Sequence, residues 1–114
     1  KDYYKIDCAL DTFPYTGVTT SFQSYLMGVP VLVMKGFNMN SRCGESINKN
    51  LGLNEFIADD YDDYVSKASQ LQDKKKLSNI RISLRKKVLD SALFDTEKFT
   101  KDLSDIFKNL VKKY

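Results

Sequence analysis

The chain has 114 residues, 42% of them hydrophobic, with seven Phe and seven Tyr; that is enough for the packed core of one domain or part of one, and it excludes a disordered tail. It has no His and two Cys, Cys8 and Cys43, without CxxC spacing, which excludes His-based triads and zinc sites built from these residues alone. The net charge of +3 is unevenly spread: residues 41–73 hold three bases and seven acids, and residues 74–114 hold twelve bases and five acids.

Ile6 to Leu10 is a short apolar run with the small Cys8 and Ala9, ended by Asp11-Thr12-Phe13-Pro14. It reads as a buried parallel strand that stops where proline bars further pairing. Cys8 there is a buried small hydrophobe, and no disulfide is expected. Thr20 to Met27 reads as a helix. Thr20 and Gln23 have the S/T-x-x-E/Q spacing of a capping box, and Gly28 closes the helix. Val29 to Met34 is a continuous apolar strand with Pro30 at its entry. The succession is a βαβ unit.

Gly36 to Asn40 is read as a polar loop. Asn40 or Ser41 is expected to cap a helix reaching about Asn50, with Gly52 as its stop. Glu55 to Ala58 reads as a third short strand. Asp59-Asp60 opens a helix expected to turn Tyr64, Val65, Ala68 and Leu71 inward, and a basic helix runs from Lys74 to about Leu89. Asp95 or Thr96 caps the last helix, which carries Phe99, Leu103, Ile106, Phe107 and Leu110 on one stripe. The seven bases from Lys74 to Lys87 interleave with Leu77, Ile80, Leu84 and Val88 at helical spacing and without an aromatic. They form the solvated face of an amphipathic helix, so no nucleic-acid partner is expected. No apolar run approaches the ~20 residues of a membrane helix and no signal-peptide pattern is present, so no membrane partner is expected and the chain reads as cytoplasmic. There is no internal repeat.

The fold class expected is α/β: a three-stranded parallel sheet flanked by helices, half of a doubly wound domain. An open parallel sheet normally has more strands, so the chain reads as a fragment whose remaining strands precede Lys1.

The segment richest in chemistry runs from Leu10 to Val31. A helix start just beyond the carboxyl end of a strand is the usual place for a diphosphate in an open α/β sheet. Thr19 and Thr20 supply hydroxyls and N–H groups there; the simpler alternative is that Thr20 caps the helix and Thr19 is turn. Gln23 has two readings as well, a ribose contact or the capping box. Tyr15 and Phe13 flank Pro14, where they line a pocket or cover the core. Asp11 is read as fixing the following turn. Lys35 and Arg42 could each approach a phosphate; the simpler alternative for Lys35 is a solvated base, and Arg42 is given an ion-pair or packing role before a catalytic one.

Leu10-Asp11-Thr12-Phe13-Pro14-Tyr15-Thr16-Gly17, Thr19-Thr20 and Met27-Gly28-Val29-Pro30-Val31 resemble the catalytic region of the O-linked N-acetylglucosamine transferase family, glycosyltransferase family 41. That family includes bacterial tetratricopeptide-repeat and plant SPINDLY-type enzymes. Gly36 with Ser41-Arg42, Leu51-Gly52-Leu53 with Glu55-Phe56-Ile57-Ala58, and Leu93-Phe94-Asp95-Thr96-Glu97-Lys98-Phe99 are similar to further family blocks in the same order. The resemblance implies that residues 1–114 are the C-terminal part of a donor-binding, Rossmann-like domain of a GT-B glycosyltransferase, without the repeats and the acceptor half. It implies a nucleotide-sugar donor, UDP-GlcNAc or another UDP-hexose, in place of a cofactor, and a protein acceptor in the intact enzyme. It places the donor diphosphate and ribose against Tyr15, Gly17, Val18, Thr19, Thr20 and Gln23. It implies no catalytic residue and no metal ligand in this stretch, because the family's base-contacting segment and its catalytic Gln and Lys lie upstream of the first strand here, with the acceptor half-domain further upstream still. It also implies that the terminal helices complete the outer layer of the sheet. Two departures stand out: Gln23 where the family usually holds Asp, and Val18 where it often holds His or Gly. They leave open a second class, a non-catalytic interaction or nucleotide-binding module derived from the same scaffold.

Overall fold

The computed structural model describes residues 2–113. Its strands are β1 (Ala9–Leu10), β2 (Val31–Met34) and β3 (Ile57–Ala58), and its helices are α1 (Thr19–Leu26), α2 (Met39–Asn50), α3 (Tyr61–Gln70), α4 (Lys74–Leu89) and α5 (Thr96–Lys113). The strands form one parallel sheet in the order β1-β2-β3. Ala9 pairs with Val31, Leu10 with Leu32, Val33 with Ile57 and Met34 with Ala58. The expected α/β architecture is therefore present.

The central strand is apolar because it is enclosed. Val31, Leu32 and Val33 are buried, and the core around β2 gathers Tyr25 from α1, Ile47 from α2, Phe56, Ile57, and Leu77, Leu84 and Val88 from α4. Gly28 ends the turn after α1 at φ 75°, a left-handed conformation that glycine adopts without a Cβ penalty. The Gly28 carbonyl then accepts the Arg81 Nε–H at 3.1 Å, which ties α1 to α4.

Several boundaries differ from the sequence reading. β1 covers only Ala9–Leu10 in place of Ile6–Leu10. Its ladder is set by β2, with the Ala9 N–H donating to the Pro30 carbonyl at 2.9 Å and the Asp11 N–H to Leu32 at 2.9 Å. β2 begins at Val31, after Pro30, which has no N–H to add to a ladder. The third strand shortens to Ile57–Ala58 because Asn54–Phe56 coil into a 3-10 turn. α2 starts earlier than expected: Asn38 is its cap, accepting the Ser41 N–H at 3.0 Å while Ser41 Oγ accepts the Asn38 N–H at 3.0 Å. Serine thus takes the place that glutamate usually has in a capping box, and Asn40, expected in the loop, lies in the helix.

Asp60, Asp73 and Asp95 cap α3, α4 and α5, each accepting a first-turn N–H at 2.9–3.1 Å. On α3, Val65 is exposed and not turned inward. α5 is the larger departure: its helical stripe exists, but none of it is buried. Phe99, Ile106, Phe107 and Leu110 are all exposed, and no residue of the helix is buried. Just before its start, Phe94 meets Phe22 edge-to-face at 5.8 Å. The molecule extends 55 Å along its longest direction, against 30 and 22 Å in the others.

Candidate functional site

The sheet's carboxyl edge is organised by the loop between β1 and α1. Asp11 ends β1, and its Oδ1 accepts the Thr12 N–H at 3.0 Å and the Gly17 N–H at 2.9 Å, so one oxygen holds both ends of the loop. Thr12 Oγ1 donates to the Tyr15 carbonyl at 2.8 Å. Thr16 is buried and donates its hydroxyl to the Asn40 carbonyl at 2.9 Å, which fastens the same loop to the first turn of α2. The Tyr64 hydroxyl reaches across from α3 to the Asp11 carbonyl at 2.9 Å.

This scaffold sets where α1 begins. Its N-cap is Val18, which offers no side-chain acceptor, and the first intrahelical bond runs from the Phe22 N–H to the Val18 carbonyl at 3.0 Å. The opening N–H groups of a helix have no intrahelical partner, and here no side chain fills them. The expected Thr20–Gln23 capping box is therefore absent. With the helix starting at Thr19 and its cap at Val18, Thr20 sits two residues too far along to cap it, and Gln23 lies exposed on the following turn. Ser21 Oγ donates to the Gly17 carbonyl at 3.0 Å and closes the turn from below.

Gly17 is favoured by the close approach of neighbouring side chains. A β-carbon there would lie 2.5 Å from Thr20 Oγ1 and 3.1 Å from Ser21 Oγ. A cleft of about 330 Å³ opens beside the turn and brings Tyr15, Gly17, Thr20 and Asp11 together with Ser24 and Val31. Val18, Thr19 and Gln23 do not line that cleft; Val18 is 43% exposed at the helix start, and Thr19 is exposed beside it. Phe13 stacks edge-to-face on Phe37 at 6.5 Å, on the loop rim.

The other candidates are engaged elsewhere. Lys35 pairs with Asp59. Arg42 pairs with Glu45 at 3.0 Å, and Lys49 with the same carboxylate at 2.6 Å. The Arg42 hydrogen bond, then that of Lys49, holds the buried Glu45 carboxyl below its usual range. This is the ion-pair role expected of Arg42. Cys8, expected to be buried, is only half-buried against the core; burial still pushes its thiol up to about 11. Among the described residues no cluster of three potential metal ligands occurs, and no helix is long and apolar enough to cross a membrane.

Two positions that matter were not singled out from sequence as functional: Thr16, which ties the loop to α2, and Asn48, whose amide bridges the sheet. Their partners are distant in the chain, so no local pattern marks them.

A parallel sheet whose first strand ends in a clamped glycine turn and an uncapped helix start defines an open α/β unit with its working edge at the carboxyl ends of the strands. Its family is shown by comparison: the Glycosyl transferase family 41 profile matches residues 4–103, and the chain belongs to that family. It is 41% identical over 113 residues to the probable UDP-N-acetylglucosamine–peptide N-acetylglucosaminyltransferase SPINDLY of Solanum lycopersicum, a match covering 98% of this chain and 12% of that protein. It is 31% identical over 109 residues to the UDP-N-acetylglucosamine–peptide N-acetylglucosaminyltransferase of Caenorhabditis elegans, covering 95% of this chain and 10% of that protein. Among solved structures, a mutant of the Thermobaculum terrenum O-GlcNAc transferase superposes with a TM-score of 0.85 at 35% identity, over 95% of this chain and 21% of that one. The chain thus spans about an eighth of the plant relative's length.

Proposed function

We propose that this chain is the C-terminal part of the donor-binding domain of a protein glycosyltransferase, and that it receives the diphosphate of a UDP-sugar at the start of α1. The observation that carries the reading is the uncapped N-terminus of α1 at the carboxyl end of β1, in a chain of family 41. Backbone N–H groups of Val18, Thr19 and Thr20 donate to phosphate oxygens, and the helix dipole offsets their charge. The hydroxyls of Thr19 and Thr20 add two further donors. Gly17 keeps the turn free of a side chain, Tyr15 stands at the cleft, and Gln23, one turn along α1, faces the ribose with a single acceptor oxygen and an amide. The transferred sugar is an N-acetylglucosamine or another hexose, and the acceptor is a protein. The catalytic groups lie upstream of β1, and the acceptor site belongs to a half-domain further upstream still.

The test is a calorimetric titration of the full-length polypeptide with uridine diphosphate and with uridine. The diphosphate is expected to bind at least about tenfold more tightly, an advantage that shrinks as salt rises. Replacing Thr19 and Thr20 together by alanine should remove most of the difference. Equal affinity for the two ligands would overturn the reading. Val18 and Gln23 support a second reading, a scaffold that retains the fold without transfer. Diphosphate binding without sugar transfer to any protein acceptor would favour it.

A further inference from the structure

The two oxygens of the Asp11 carboxyl have different surroundings. Oδ1 accepts the Thr12 and Gly17 N–H groups, whereas Oδ2 is buried and has no hydrogen-bond partner. Oδ2 points at the backbone of α2, where Gly44 leaves room for it: a β-carbon on Gly44 would stand 3.1 Å from Oδ2 and 2.8 Å from Val33 Cγ1. A carboxylate with one oxygen in such a place carries an uncompensated cost when ionised. Burial accordingly raises the Asp11 carboxyl above its ordinary range, with the Gly17 and Thr12 hydrogen bonds acting in the opposite direction.

The same carboxyl is a close neighbour of the α1 turn. A β-carbon built on Gly17 would lie 3.4 Å from Asp11 Oδ1 and 2.5 Å from Thr20 Oγ1. A phosphate bonded to the Thr20 hydroxyl therefore brings fixed negative charge next to a carboxylate that pairs with no cation among the described residues. Like charges this close favour the protonated acid.

We propose that Asp11 is the positioning residue of the diphosphate turn, and that it takes up a proton from solvent when a diphosphate binds there. This rests on the reading of the α1 turn given under the proposed function. The proton goes to Oδ2, while Oδ1 keeps both N–H groups and so keeps the turn in place. Release of the ligand returns the proton to solvent. The groups facing Asp11 do not compete for this role. Cys8 on the β1 side, Tyr25 on α1 and Tyr64 on α3 are all raised by burial and stay neutral near neutral pH. On α2 the residue in contact is Gly44, and the adjacent Glu45 is paired with Arg42 and Lys49.

The experiment is calorimetric titration of the full-length polypeptide with UDP-N-acetylglucosamine, whose phosphates are diesters without a titrating proton, between about pH 5 and pH 8. Two buffers of different ionisation enthalpy count the protons exchanged. Uptake of up to about one proton is expected, with affinity falling by up to about tenfold per pH unit as pH rises through the linked window. Asp11→Asn keeps an oxygen for the two N–H groups and should abolish both the uptake and the pH slope. Binding with no proton uptake, or an unchanged slope in Asp11→Asn, would overturn the proposal while leaving the diphosphate site standing. If Asp11→Asn does not fold, the proton count of the unaltered protein still decides. No binding of the nucleotide sugar at any pH would remove the site and this inference together.

Discussion

Tyr25 and Asn48 join two helices across the central strand: the Tyr25 hydroxyl donates to Asn48 Oδ1, and both side chains are buried. The Asn48 amide then donates to the Val31 carbonyl at 3.0 Å and to the Phe56 carbonyl at 3.1 Å. One side chain therefore satisfies three buried groups, on α1, β2 and the turn before β3. Asn48→Leu should leave all three unpaired and cost more than about 2 kcal/mol in urea unfolding, whereas Tyr25→Phe, which removes one partner, should cost about 1 kcal/mol.

A second prediction concerns the contact between Gly17 and Thr20. Gly17→Ala should destabilise by about 1–3 kcal/mol, because the new methyl meets a hydroxyl on the first turn of α1. Removing that hydroxyl in Gly17→Ala/Thr20→Ala should recover part of the loss, so the two changes should be clearly non-additive in a double-mutant cycle. Simple additivity would mean that the turn relaxes away from Thr20.

Gln23 offers a sharper test of the helix start. With Val18 at the N-cap and no capping box, Gln23→Ala should change stability by less than about 0.5 kcal/mol, as for other exposed helical positions. A loss of about 1 kcal/mol or more would indicate that Gln23 does cap the helix.

Stability should also depend on acid through Glu45. Its folded carboxyl titrates below its ordinary value of 4.5 because Arg42 and Lys49 bond it, so its contribution is complete above that value and is lost as pH falls through the lower, folded one. Glu45→Gln should therefore be less stable than the unaltered chain near neutral pH, by about 1–2 kcal/mol. The gap should narrow on acidification, as read from thermal unfolding at a series of pH values. A constant gap would assign the loss to packing.

The features legible in the sequence were those with local causes. The apolar run at Val31–Met34 identified the central strand, the spacing of Leu77, Leu84 and Val88 identified the buried face of α4, and an Asp before a helical pattern marked the starts of α3 and α5. The start of α1 is not legible in the sequence, because nothing at Val18 signals a cap. Its position comes from the Asp11 clamp on Gly17 and from Thr16 reaching Asn40, and neither contact leaves a local pattern. α2 was displaced because Asn38, Asn40 and Ser41 are all acceptable caps, and only the mutual Asn38–Ser41 bonds decide between them. For α5 the period gave the helix and its stripe correctly, but an apolar stripe does not specify what lies opposite. The sequence pattern puts Thr20 and Gln23 on the right helix but leaves Thr19 just before it, and it marks Asp11 only as a turn former, since nothing local signals its orphaned oxygen.

The chain-order sheet has a kinetic consequence. β2 is paired on both sides, with β1 before it and β3 after it, and each pairing closes a loop of fewer than about thirty residues. Short closures onto one shared strand favour a nucleus built on β2, with α5 joining after the barrier. In stopped-flow refolding, Val33→Ala should slow the folding limb, whereas Phe99→Ala should leave it unchanged. The speed at which this segment becomes a sheet is then a property of four residues, Val31 to Met34, independent of when the terminal helix forms.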